Sequence, residues 1–153
     1  MFHCSGFRDT ICNALLSYSF RISSDSNGID TMVTFDDAAS MLDEIVDELP
    51  EEIFKDLNGG VYLLPDVKKH QKSRKHQPLY ILGEYISRYD LGKLIYLYYG
   101  SFIKVYPDLP PSELRPILER VLIHELTHHF EFFAGERGLE IKDEIEMNRY
   151  LRS

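Results

Sequence analysis

The sequence predicts an α+β fold: a small three-stranded sheet with an N-terminal helix, a long helix bearing "HELTHHFEFFAG", and a short C-terminal helix. Three observations lead there. Apolar residues recur at helical spacing in two separate stretches, 38–49 and 117–126. Runs rich in β-branched and aromatic residues, punctuated by Gly and Pro, lie between them. The chain has 153 residues, enough for one modest core and too few for two.

Composition narrows the class. With 44% hydrophobic and 12% aromatic residues the chain is globular rather than disordered. Its formal charge of -8 repels nucleic acid and anionic membranes, so neither is expected as a partner. No apolar run approaches the roughly eighteen residues of a membrane span. The first twenty residues make a poor signal peptide, because Asn13, Ser17 and Ser19 interrupt the apolar stretch. A cytoplasmic monomer is the expectation. Cys4 and Cys12 are the only cysteines, which excludes a disulfide framework for the rest of the chain. Their spacing is not that of a standard zinc knuckle.

Residues 1–31 end in "SYSFRISSDSNGID", without sustained period, and are expected to be a poorly ordered extension. The organised domain is expected over 32–153, and Met32 could itself be a start. In the first helix Ala38, Met41, Leu42, Ile45, Val46 and Leu49 form one apolar stripe. Thr34 and Asp37 resemble a capping box, and Pro50 stops the helix. "GGVYLLPD" (59–66) reads as a strand after a Gly-Gly turn. "VKKHQKSRKHQP" then packs five basic residues and two histidines, His70 and His76, into nine positions. With no aromatic residue inside it and an acidic chain around it, it reads as a solvated loop with exposed histidines. A nucleic-acid patch at 68–76 is the competing reading. "PLYILGEYISRYD" and "GKLIYLYYGS" read as two further strands, whose tyrosines are packing residues. Gly83 suggests a bulge or a close backbone approach.

The second apolar stripe runs through Ile117, Leu118, Val121, Leu122, Leu126 and Phe130, with Ser112 as a candidate cap and Gly135 as the terminus. "LEIKDEIEMNRYL" favours a final helix. On the long helix His124 and His128 stand one turn apart on one face, so both imidazoles can reach a single ion. Zn2+ suits such nitrogen ligands and keeps a position open for water, although ligand type alone leaves other divalent ions open. Glu125, about 100° round the helix, is placed as general base. His129 is turned away from that ion and reads as a packing or supporting residue. If the final helix folds back past Gly135, the third ligand falls near Asp143 or Glu144, with Glu140 a shorter-range rival.

These residues resemble the minimal zincins, small bacterial proteins described as possible zinc metallopeptidases and related to the minigluzincins. The carriers are "FDDAASMLDEIVDELPEEIF", "LYILGEYIS" and, above all, the doubled histidine of "VLIHELTHHFE". The likeness covers about residues 33–147. It implies a compact zincin core in which His124, His128 and Asp143 bind Zn2+ and Glu125 is the catalytic acid/base. The family has a Gly and then an Asp soon after the double His. Here Glu131 comes first, and "KDE" looks like that acidic segment displaced by an insertion. The implied substrate is a short peptide or a small protein's exposed tail. By analogy with larger zincins, "KLIYLYYG" is expected to be the edge strand that pairs with it. A non-catalytic metal-binding or interaction domain on the same scaffold is the alternative.

Overall fold

The computed structural model describes residues 32–135 and 138–152, with the side chains of 133, 134 and 138–142 outside the description. The expected N-terminal extension, with Cys4 and Cys12, therefore lies outside the described residues. In chain order the elements are α1 (Phe35–Glu48), a 3-10 turn (Glu51–Phe54), β1 (Gly60–Leu64), β2 (Lys68–Lys69) and β3 (Tyr80–Ile81). β4 (Gly83–Arg88), β5 (Gly92–Tyr98), α2 (Tyr99–Val105), α3 (Pro111–Ala134) and α4 (Gly138–Arg152) follow. The fold is α+β. No described helix is long and apolar enough to cross a membrane.

α1 starts where its cap dictates. The Asp37 N–H donates to Thr34 Oγ1 at 3.1 Å while the Thr34 N–H donates back to the Asp37 carboxylate at 3.0 Å. Those exchanges satisfy donors that a helix start leaves without partners. The Thr34 hydroxyl, donating to the Asp37 carboxylate at 2.7 Å, and then the Thr34 N–H hold that carboxyl below its ordinary range. Ala38, Leu42 and Ile45 are buried, and Met41, Val46 and Leu49 pack at the margin. The stripe is the expected one.

The sheet runs β1–β5–β4, with β1 parallel and β4 antiparallel to β5. β5 is therefore the central strand, hydrogen-bonded on both sides. "KLIYLYYG" cannot be a free edge, which corrects the expected substrate strand. The edge strand that packs on α3 is β4. The run 79–88 also divides at Leu82: β3 leaves to pair with β2, and β4 pairs with β5. After Tyr98 the chain turns into α2, a helix that the β-type composition of 95–105 does not announce.

α3 begins at Pro111 behind Pro110, with no side-chain cap, so Ser112 does not play the expected role. Pro at the first position loses only a donor that would have been idle. Pro116, further in, does forgo one intrahelical bond. Leu114, Ile117, Leu118, Val121, Leu122 and Leu126 bury the helix against α1 and the sheet. Each such side chain contributes about 1.5–3 kcal/mol. Phe130, expected to extend that stripe, is 45% exposed, and His129 takes the buried place. Gly135 ends the helix at φ 66, a left-handed conformation that costs glycine least.

Candidate metal centre

α3 presents two faces near its C-terminal end, and each carries part of the site. The first face carries His124 and His128, whose Nε2 atoms lie 3.2 Å apart. α4 folds back across it and brings Asp143 Oδ2 to 3.4 Å from His128 Nε2 and 4.0 Å from His124 Nε2. Asp143 Oδ2 is buried and makes no hydrogen bond among the described residues. An anionic oxygen in that state carries a large desolvation penalty unless a cation compensates it.

The donor geometry fits an ion. A tetrahedral centre with bonds of about 2.0–2.2 Å separates its ligand atoms by roughly 3.3–3.6 Å. The three separations here are 3.2, 3.4 and 4.0 Å. Two imidazoles and one carboxylate are also the number and type of ligands that leave a fourth position open. His128 is almost wholly enclosed, while the His124 and Asp143 side chains keep 20% and 15% exposure, so the group stays reachable from solvent. His124, His128 and Asp143 can thus hold a metal ion. Glu144, the neighbouring candidate, is exposed. The side chain of Glu140 lies outside the described residues.

The second face carries Glu125, which has no solvent exposure. Its Oε2 accepts the Tyr85 main-chain N–H at 2.9 Å. β4 approaches closely enough for this because residue 83 is glycine. A Cβ there would lie 2.8 Å from Val121 Cγ1 and 3.1 Å from Glu125 Cγ. The expected close approach at Gly83 is present, and it seats the helix on the strand.

One turn on, the same face carries His129, also fully buried. Its Nε2 lies 2.8 Å from the Lys55 carbonyl and its Nδ1 3.1 Å from Tyr85 Oη. A carbonyl only accepts, so Nε2 bears the proton and Nδ1 accepts from the phenol. Burial pushes the Tyr85 phenol above its usual range, against a smaller opposing effect of Ser87, and keeps it a donor. Tyr85 therefore holds Glu125 through its main chain and His129 through its side chain. In the sequence it reads as one more packing tyrosine of these strands. The available signal was its alternation with Gly83, which puts both residues on the face towards α3.

Glu84 projects to the opposite face of the sheet. It meets Lys68 Nζ at 2.6 Å and Tyr98 Oη at 2.5 Å. Burial first, and then Glu84, push the Tyr98 phenol far up, so it remains protonated and donates. The basic run that begins at Lys68 is therefore no freely solvated loop. His70, expected to be exposed, is 4% exposed, and its Nδ1 accepts the Lys72 N–H at 2.9 Å. Burial, aided by Lys72, lowers its imidazole pKa. His76 is exposed as expected.

No protein-family model matches the chain, and no curated protein matches it. Among solved structures it is similar to one described as a conserved hypothetical protein from Thermo thermophilus, at 28% identity and a TM-score of 0.57. The likeness covers 67% of this chain and 98% of that one, so almost all of that smaller protein shares the architecture.

Proposed function

We propose that this chain is a zinc-dependent metallopeptidase of the minimal zincin type, acting on short peptides or exposed protein tails. One observation carries the reading: Asp143 of α4 brings a buried carboxylate oxygen against His124 and His128, on the helix that also carries Glu125. Those three side chains would hold the zinc, which would supply Lewis acidity and bring the pKa of water to about 7.

The chain's own residues do the rest. Glu125 takes the proton of the attacking water and passes it to the leaving amine. Tyr85 fixes one carboxylate oxygen of Glu125, so the base is held in a set orientation before substrate arrives. His129 in turn fixes Tyr85. No strand pairs with the outer side of β4 among the described residues. The Leu82 carbonyl faces β5, so by alternation the main chain of Gly83 and Ser87 faces outward. That edge is where a substrate backbone would be received.

The same Glu125 contact favours a second reading. A fully buried carboxylate bonded to main chain can be a structural tie, and the protein would then be a metal-holding scaffold without turnover. Glu125→Gln separates the two, because the amide keeps an acceptor for the Tyr85 N–H but cannot take a proton. The zinc-loaded protein should cleave members of a quenched-fluorescence peptide library. The variant should keep about one zinc per chain while losing roughly 10²–10⁴-fold in rate. Equal rates in the two proteins, or none in either, would favour the scaffold.

A further inference from the structure

Asp143, Met147 and Tyr150 lie four and seven residues apart on α4 and so share one face of that helix. Met147 is buried, whereas Glu144, Ile145, Asn148, Arg149 and Leu151 are exposed. Among the described side chains of α4, Met147 is the buried apolar one, and the far end of the helix is held by polar contacts.

Those contacts come from the basic turn between β2 and β3. The Arg74 main-chain N–H donates to Tyr150 Oη at 3.1 Å, and Tyr150 Oη donates to the Gln77 carbonyl at 2.9 Å. Arg74 Nη2 donates to the Leu151 carbonyl at 2.6 Å, and the guanidinium carbon stands 5.4 Å from the Tyr150 ring centroid. Leu151 offers one of the last carbonyls of the helix, which lack intrahelical partners, and a cation suits the negative end of the helix dipole. The turn is itself well tied. The His70 N–H donates to the Leu79 carbonyl at 2.9 Å, the Ser73 N–H to the His70 carbonyl at 3.0 Å, and the Leu79 N–H to Ser73 Oγ at 2.9 Å.

We propose that this turn is a clasp for the metal centre, in which Arg74 and Tyr150 are positioning residues that hold α4 in the register carrying Asp143 to His124 and His128. The inference rests on the metal-binding part of the function proposed above. It gives the basic run a role other than contact with nucleic acid. Affinity for the ion depends on the fraction of molecules in which α4 is docked, so loosening the clasp weakens metal binding without touching a ligand. The coupling is reciprocal: the ion in turn steadies the clasp.

The test is titration of the full chain with Zn2+ against a chromophoric chelator, with Co2+ absorption as the spectroscopic readout. Tyr150→Phe and Arg74→Ala should each raise the zinc Kd about three- to tenfold. Arg74→Lys, which keeps a cationic donor for the Leu151 carbonyl, should recover part of that loss. Far-UV circular dichroism and the Co2+ spectrum at saturation should match the parent, since fold and ligand set are unchanged. A second measurement does not depend on the variants: in the parent protein, Zn2+ should slow amide exchange at residues 143–150 and also at 73–79. An unchanged Kd in both variants, or no protection of 73–79 by zinc, would overturn the clasp while leaving the site standing. Failure of the parent to bind zinc any better than His124→Ala would overturn the metal reading and the clasp with it.

Discussion

His129 follows His128 directly, yet the two imidazoles serve different neighbours because one residue turns the helix by about 100°. His128 faces Asp143, whereas His129 reaches the Lys55 carbonyl and the Tyr85 hydroxyl. Replacing His129 with Phe would fill a similar space and remove a hydrogen-bond partner from the buried Tyr85 hydroxyl and from the Lys55 carbonyl. At about 1–3 kcal/mol for a buried group that loses its partner, the loss should come to roughly 1–3 kcal/mol, read as a lower urea midpoint at unchanged m-value. Zinc should still bind, because no ligand is removed. A loss below about 0.5 kcal/mol, the ordinary range for a surface substitution, would show that His129 is not the tie described here.

At the scale of elements, the α3–β4 seam matters most, because it decides where Glu125 points. Gly83 lets the strand and helix meet. A methyl group at that position would lie 2.8 Å from Val121 Cγ1, 3.0 Å from Leu97 Cδ2 and 3.1 Å from Glu125 Cγ. Val121 and Leu97 are completely buried, so neither has space into which to move. Gly83→Ala should therefore push α3 off the strand, cost about 1–3 kcal/mol and lengthen the contact between Glu125 and the Tyr85 N–H. Thermal unfolding measures the first effect, and the NMR shift of the Tyr85 amide reports the second. An unshifted amide would mean that the seam tolerates a side chain.

For the whole molecule, the centre joins parts of the chain that would otherwise be weakly connected. The three side chains that could hold an ion come from α3 and α4, and the far end of α4 is held by a turn that belongs to the β2–β3 pair. A ligand that binds only the folded state stabilises it by mass action. Zinc at one hundred times its Kd should add about 2.7 kcal/mol, or roughly 5–10 °C in Tm for a domain of this size. A chelator should reverse the gain, and His124→Ala should abolish it. A Tm indifferent to both zinc and chelator would argue that the three side chains meet without holding an ion.

What the sequence determined by itself is local. The Thr34–Asp37 cap, the α1 stripe, the Gly135 terminus and the shared face of His124 and His128 all follow from spacings within two turns of helix, where backbone geometry leaves little freedom. Asp143 was within reach because a helix that folds back can be counted residue by residue, although Glu140 and Glu144 fitted the same count. Tertiary structure decided the rest. Strand order placed β5 in the centre and β4 at the edge, and nothing in the composition of either run distinguishes those places. Tyr85 reaches His129 across 44 positions and Arg74 reaches Leu151 across 77. The burial of His70 and the exposure of Phe130 likewise depend on which elements pack against them. The physical reason is the same in each case: periodicity records which face of an element is apolar, and only packing decides what that face meets.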